Sequence, residues 1–220
     1  EDYNNHGMSQ LATEKGPVYH LNIHIFNLLQ HTITGWPGGK PNADDSQRPE
    51  RAKPAIKRSL IFSPHPDDDV ISMGGTFIRL VDQGHDVHVA YQTTGNNAVW
   101  DDDAIRYLEF ALGLFNTSSD EHQKLLNIYE NSITFINNKT PNQPDPEDLR
   151  NIKGLIRKGE ATAGARYCGL NDDHIHFMEM PFYEKRKSSR KNDISKDDVN
   201  VTMDLLQKIK PHQIFAAGDF

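Results

Sequence analysis

The sequence contains a single cysteine, Cys168, among its 220 residues. One thiol cannot form a disulfide within the chain, and this is compatible with the reducing conditions of the cytoplasm. Long apolar runs are absent as well, because none approaches the ~18 residues that a membrane-spanning helix needs. These two absences predict a cytoplasmic protein with no membrane partner and no internal disulfide.

The chain also lacks an excess of positive charge, with 24 Lys and Arg residues against 31 Asp and Glu residues. The formal net charge is -7, and the Lys and Arg residues do not form one dense run. Proteins that bind nucleic acid neutralise phosphates with clustered Lys and Arg, so a general nucleic-acid surface is excluded. The basic residues of segment 185–191 are interrupted by serines and are interpreted as a solvated loop.

The first quarter of the chain differs in composition from the rest. Residues 18–32 have apolar side chains at helical spacing, which predicts an amphipathic helix. Residues 35–57 are rich in Gly, Pro, Asp and Arg, a composition typical of a linker. We therefore interpret residues 1–57 as the tail of a preceding domain plus a linker, and residues 58–220 as a second domain. The chain begins at Glu1 and ends at Phe220 just after an apolar run, which predicts an excerpt of a longer polypeptide.

Strands and helices alternate from residue 58 onward. Strands are predicted at 59–63, 86–93, 174–179 and 213–217, and helices at 69–83, 102–114, 119–136, 147–170 and 197–209. Strand–helix–strand units of this length form parallel pairs with right-handed crossovers. The predicted fold class is therefore α/β, a Rossmann-like three-layer fold with a mostly parallel sheet.

The most informative motif is PHPDDD at residues 64–69, directly after the first predicted strand. Ligands of open α/β sheets bind at the carboxyl ends of strands. His65 and Asp68 lie three apart across a Pro-containing turn, so both can bind one ion, and Asp67 points differently and can accept a proton from water. The alternative is that the aspartates cap the following helix, although one cap needs only one aspartate. The motif therefore predicts a metal site.

Together with Gly74-Gly75-Thr76, this motif resembles the opening motif of the PIG-L/LmbE family of zinc-dependent N-deacetylases, which reads His-Pro-Asp-Asp-Glu. The resemblance implies that His65 and Asp68 bind Zn²⁺ and that Asp67 is the general base. Asp69 stands where the family has Glu. The third zinc ligand of the family is a histidine in the loop after a later strand, and the resemblance places it beyond residue 220.

Two further segments carry the resemblance. Thr94-Gly95-Asn96 is similar to the family's Thr-x-Gly-Glu, with Asn96 in place of the acid. Arg157-x-x-Glu160 is similar to a family helix whose Arg reaches the substrate, so Arg157 is implied to bind substrate. The alternative is an i,i+3 ion pair on a helix face. The matching blocks are 58–97 and 151–220, and residues 98–150 between them form a helical insertion, interpreted as a lid or an oligomer contact.

Seven other histidines are not predicted to complete this site. They are interpreted as packing, surface or strand-start residues: His20, His24, His85, His88, His174, His176 and His212.

Three functional hypotheses follow. The first is a zinc-dependent hydrolase that deacetylates an N-acetylated amino sugar or a related small molecule. A homo-oligomer is compatible with this hypothesis. The second concerns the longer polypeptide, because the linker and this domain resemble the C-terminal half of bacterial proteins whose N-terminal half is similar to glucosamine-6-phosphate deaminase. That resemblance implies a fused deaminase-like domain as partner in amino-sugar catabolism. The third is a non-catalytic module for sugar binding or assembly.

Overall fold

A computed structural model describes residues 6–32, 56–184 and 192–217. Nearly all of the predicted linker and the whole basic stretch 185–191 lie outside these ranges. The N-terminal part forms helices α1 (His6–Lys15) and α2 (Val18–Thr32), of which the sequence predicted only the second. None of the helices in the described ranges is long and apolar enough to cross a bilayer.

The main domain alternates strands and helices as predicted. Its elements are β1 (Arg58–Ser63), α3 (Asp68–Asp82), β2 (Asp86–Tyr91), α4 (Asp101–Leu112), α5 (Asp120–Asn138), α6 (Glu147–Tyr167), β3 (Ile175–Phe177), α7 (Pro181–Glu184), α8 (Lys196–Ile209) and β4 (Gln213–Phe215). Short 3₁₀ turns occur at Asn96–Ala98 and Asp172–His174. The predicted bounds differ mainly at the edge strands β3 and β4, which are shorter than expected.

The described strands form one parallel sheet in the order β3-β2-β1-β4, which confirms the predicted α/β fold. β1 and β2 pair along their whole length, from Arg58 opposite Asp86 to Ser63 opposite Tyr91. Their carboxyl ends therefore lie side by side. The turns that follow β1 and β2 meet at the carboxyl end of the sheet, and the predicted motif lies at this end.

Helices cover both faces of the sheet, and this explains why most residues of the central strands β1 and β2 are buried whichever face they point to. On one face, residues of β1 and β2 such as Ile61 and Val89 pack with Phe77 of α3 and Ala165 of α6. On the other face, Leu60 and its neighbours pack against α8. The layered arrangement holds the turns at the sheet edge on a rigid base.

The predicted insertion is helical and has a small core of its own with the start of α6. Val99, Ala104, Leu149 and Ile156 are buried together there. Next to this core, Lys153 is buried, with its side chain 5% exposed. Its Nζ donates to Asp101 Oδ1 at 2.7 Å and to Asp145 Oδ2 at 2.6 Å, and Lys139 also pairs with Asp101. This ion cluster ties α6 to α4 and to the loop after α5.

Candidate metal and substrate site

His65 and Asp68 come together in the turn after β1. The Nδ1 atom of His65 lies 3.0 Å from Asp68 Oδ2, and the backbone N–H of His65 donates to the same oxygen at 2.9 Å. Both side chains are partly exposed. Two ligands of one zinc ion, each about 2.0–2.2 Å from it, lie about 3.3–3.6 Å apart in tetrahedral geometry. An imidazole nitrogen and a carboxylate oxygen at this spacing suit a divalent metal of the zinc class.

Asp67 is held by an arginine from a distant helix. It occupies the position before α3, but its side chain makes no capping hydrogen bond, so the alternative interpretation of a helix cap does not account for it. Its Oδ2 accepts a hydrogen bond from Arg157 Nη2 at 2.8 Å, while Arg157 Nη1 donates to Glu160 Oε2 at 2.8 Å. The predicted i,i+3 ion pair is therefore present, and the same guanidinium also orients Asp67.

The charge of Arg157 survives in a mostly buried position. Its side chain is only 15% exposed. Burial disfavours the charged form, but the hydrogen bonds and charges of Asp67 and Glu160 outweigh it and raise the pKa of Arg157. A permanently charged guanidinium with two carboxylate partners is a rigid support for the motif.

Asp69 has a structural role in the same turn. It is 2% exposed, and its carboxylate accepts a hydrogen bond from Tyr91 Oη at 2.9 Å. Its backbone N–H donates to Ser63 Oγ at 3.0 Å. Burial raises the pKa of Asp69 despite these hydrogen bonds, and burial together with the Asp69 carboxyl raises the pKa of Tyr91. Asp69 thus anchors the turn to both central strands.

The turn after β2 interlocks with the motif. Thr93 Oγ1 donates to the carbonyl oxygen of Pro64 at 2.9 Å, which joins the two turns. Thr94 donates from its N–H and its hydroxyl to the Glu184 carboxylate at 2.9 and 3.1 Å. Gly95 has φ of +63°, and a Cβ at this position would lie 2.8 Å from Pro66 Cδ. Only glycine allows this close approach without strain.

Replacing Gly95 by alanine is therefore expected to lower the free energy of unfolding by about 1–3 kcal/mol and to weaken metal binding, because the proline beside the motif must shift. Denaturant unfolding and metal content measure the two effects. The matched control is Gly159→Ala, since that helical glycine has open space around it and alanine favours helices. Equal behaviour of the two variants would show that the two turns are not tightly coupled.

A cavity of about 410 Å³ opens beside the motif, a size that suits a small ligand. Its lining combines the two turns, α6 and the segment around α7, and includes Pro66, Thr94, Asn96, Arg150, Lys158 and Glu184. A smaller cavity of about 210 Å³ shares Pro66 and Tyr91 with it and is lined by Asp67, Arg157 and Glu160. Asp67 and Arg157, the predicted base and the predicted substrate-binding residue, therefore line open space next to the larger cavity.

Comparison with protein families identifies the domain. The family model for PIG-L, GlcNAc-PI de-N-acetylase, matches residues 60–219. The chain belongs to this family. A protein of Bacteroides thetaiotaomicron named a glucosamine-6-phosphate deaminase-like protein is 54% identical over 222 aligned residues, which cover 100% of this chain and 33% of the relative. The chain thus spans about a third of that relative's length. No solved structure matches significantly.

Membership in the PIG-L family implies a deacetylase-type hydrolase, and the matched region contains every site residue that the sequence predicted. His212 was not expected at the site, and it lies at the other end of the sheet. There its N–H donates to the Arg58 carbonyl at 2.8 Å, and its Nδ1 accepts from the Arg58 N–H at 3.0 Å. The contact between Thr94 and Glu184 was missed, because residues 90 positions apart give no local signal.

A second group of metal-ligand residue types was also missed. Asp86, His88 and His174 lie together at the amino ends of β2 and β3. The sequence placed His174 on a strand in a packing or surface role, but it belongs to the 3₁₀ turn before β3, and its imidazole contacts Asp86. The alternation of polar residues along β2 was a visible signal, but the register with β3 was not.

Proposed function

We propose that this PIG-L family chain is a metal-dependent amide hydrolase that deacetylates an N-acetylated amino sugar or a related small molecule. The observation that carries the proposal is the convergence of His65 Nδ1 and Asp68 Oδ2, 3.0 Å apart, beside an Asp67 that Arg157 holds in place. The neighbouring cavity offers room for a small polar substrate.

In the proposed mechanism His65 and Asp68 would hold a Zn²⁺ ion, together with the third histidine ligand that the family resemblance implies. Bound zinc supplies Lewis acidity, which polarises an acyl oxygen and lowers the pKa of water. Asp67 would accept the proton of the water that attacks the acyl carbon, and Asp67 or a histidine would then protonate the amine as the C–N bond breaks. Arg157 keeps that carboxylate in position and, from the smaller cavity, contacts the substrate.

Residues of the larger cavity support a sugar-like substrate. Arg150 and Lys158 from α6 contribute positive charge, and Glu184 and Asn96 contribute polar oxygen atoms. Lys158 Nζ also lies 4.6 Å from the centre of the Phe177 ring, and both residues line this cavity. A small number of polar groups that fix the orientation of the ligand is common in pockets for small molecules.

The name and length of the B. thetaiotaomicron relative favour a second proposal about the longer polypeptide. Deacetylation by this domain would supply the free amine that a fused deaminase-like domain consumes. An intact protein that releases ammonia from N-acetylglucosamine 6-phosphate only after acetate has appeared would support this order. Ammonia release from the amine without any acetate release from the N-acetyl compound would contradict it.

The main proposal is tested by removing the metal from the intact protein. Chelation is expected to abolish acetate release from N-acetylglucosamine and its 6-phosphate, and Zn²⁺ is expected to restore it. His65→Ala should lower the metal content by one equivalent, because it removes a ligand. His20→Ala is the matched control, since His20 is an exposed histidine of α2. Acetate release that survives chelation, or His65→Ala with unchanged metal content, would refute the assigned site.

A further inference from the structure

A cluster of two histidines and one aspartate lies at the opposite end of the sheet from the motif. Asp86 Oδ1 is 3.1 Å from His174 Nε2 and 3.3 Å from His88 Nε2. The three candidate ligand atoms all lie within 4.8 Å of one another. The rings of His88 and His174 are stacked, with their centres 4.4 Å apart. Three ligand-type atoms thus face one small volume between β2 and the turn before β3.

The remaining ring nitrogens of both histidines are already held by other groups. His174 Nδ1 lies 2.9 Å from Asp173 Oδ1, and His88 Nδ1 lies 3.1 Å from His176 Nε2. Metal-bound histidines usually donate their second N–H to a carboxylate or another acceptor, which fixes the ring for coordination. Each histidine therefore already has the type of support that a metal ligand has.

The aspartate is oriented in the same manner. Arg58 Nε donates to Asp86 Oδ2 at 2.9 Å and leaves Oδ1 for the two histidines. The negative charges of Asp86 and Asp173 balance the positive charges of Arg58 and Lys208. Lys208 belongs to α8 and interacts electrostatically with His176. The cluster thus has no excess positive charge that would repel a cation.

Hydrogen bonds alone do not satisfy both ring nitrogens of a neutral His174. His174 has a carboxylate oxygen at each ring nitrogen, so both contacts are hydrogen bonds only when both nitrogens carry a proton. A metal at Nε2 satisfies the neutral ring, because Nδ1–H still donates to Asp173. The separations of 3.1 and 3.3 Å are close to the about 3.3–3.6 Å between two ligands of a tetrahedral zinc ion.

We propose that Asp86, His88 and His174 form a second site for a divalent transition metal of the zinc class, distinct from the deacetylase motif. Coordination would tilt the two stacked rings apart around the ion and leave one position for water. The bound ion would also cross-link β2 to the turn before β3. Strand β3 has only three residues. The expected consequence is a metal-dependent stabilisation of this edge of the sheet.

The test uses the intact protein with His65→Ala, so that the first site does not contribute. Zn²⁺ and Co²⁺ are the probes, and the readouts are metal content, the visible absorption of four-coordinate Co²⁺ and the metal-induced rise in unfolding temperature. Adding His174→Gln or Asp86→Asn is expected to remove one equivalent of metal, the absorption band and the temperature rise. Asp86→Asn keeps an acceptor for Arg58, which favours a folded variant. The matched control is His20→Gln with His24→Gln, an exposed pair on α2.

Failure of this proposal can be distinguished from failure of the deacetylase proposal. None of the readouts is an activity, and His65 is already replaced in every protein compared. The proposal is wrong if the His65→Ala protein shows no four-coordinate Co²⁺ spectrum, whatever the other variants do. It is also wrong if His174→Gln and Asp86→Asn bind as much metal as the His65→Ala protein. Loss of metal in the control pair alone would move the site to α2.

Discussion

Asp67→Asn is expected to lower kcat/KM for deacetylation by about 10²–10⁴-fold, because asparagine cannot accept the proton of the attacking water. The amide oxygen of asparagine can still accept the hydrogen bond from Arg157 that now reaches Asp67 at 2.8 Å. The turn should therefore keep its shape, and the metal content should stay at the level of the unsubstituted protein. Acetate release and bound metal, measured on the same preparation, separate loss of chemistry from loss of the site.

Glu160→Gln is the matched control for Asp67→Asn. Glu160 shares the same guanidinium at the same distance of 2.8 Å and loses the same charge on substitution. A change below about tenfold is expected there, because Glu160 is not next to the predicted ligands. Equal losses of activity in the two variants would show that the loss comes from removing a negative charge beside Arg157. Asp67 would then not be the general base. A protein with no acetate release before substitution, but with retained sugar binding, would favour the non-catalytic module.

Lys153→Met is expected to lower the free energy of unfolding by about 3–5 kcal/mol, because it removes the buried partner that Asp101 and Asp145 share and leaves Lys139 alone beside two largely buried carboxylates. Burial disfavours the charge on Asp101, but hydrogen bonds from Lys139 and Lys153 outweigh it and hold the pKa of Asp101 below its ordinary value. The cluster therefore stabilises the fold above the unfolded-state pKa of aspartate. The deficit of the variant should shrink as the pH falls through the lowered pKa of Asp101.

Lys158→Met, one helical turn and a half further along α6, is the control for this substitution. Lys158 is 44% exposed and lies 3.5 Å from Glu179, so its loss should cost at most about 1 kcal/mol. Urea unfolding at neutral and acidic pH gives both free energies. Adding Asp145→Leu to Lys153→Met should recover part of the loss if the unpaired charge is the cause. Equal stability of Lys153→Met and Lys158→Met would mean that the buried ion cluster contributes nothing.

The sequence predicted the sheet well where its signals are local. β1 contains a short apolar run and β2 alternates polar and apolar residues, and helices α3 to α6 and α8 follow amphipathic patterns. Strands β3 and β4, at the two sides of the described sheet, are shorter than predicted, and each pairs with its neighbour over only three residues. Helix α7 has only four residues, Pro181–Glu184, too few for a periodic pattern.

In the site, too, local features were predicted and contacts between distant residues were not. The PHPDDD motif is contiguous, so His65, Asp67 and Asp68 were recognisable as one unit, and the structure places them in one turn. The contact between Asp67 and Arg157 joins positions 90 residues apart, and spacing alone did not distinguish it from a surface ion pair. Lys153 was not predicted at all, because a lysine in a helix normally faces solvent and only the fold shows two carboxylates enclosing it.

The close approach of Gly95 to Pro66 has a consequence for protein engineering and for divergence within the family. The loops after β1 and β2 fit together as one piece, so neither can be exchanged for a relative's loop by itself. Recombination that transfers specificity would have to move both segments as a single cassette, together with the strands that set their spacing. Residue changes in one loop should likewise be accompanied by compensating changes in the other when homologous sequences are compared.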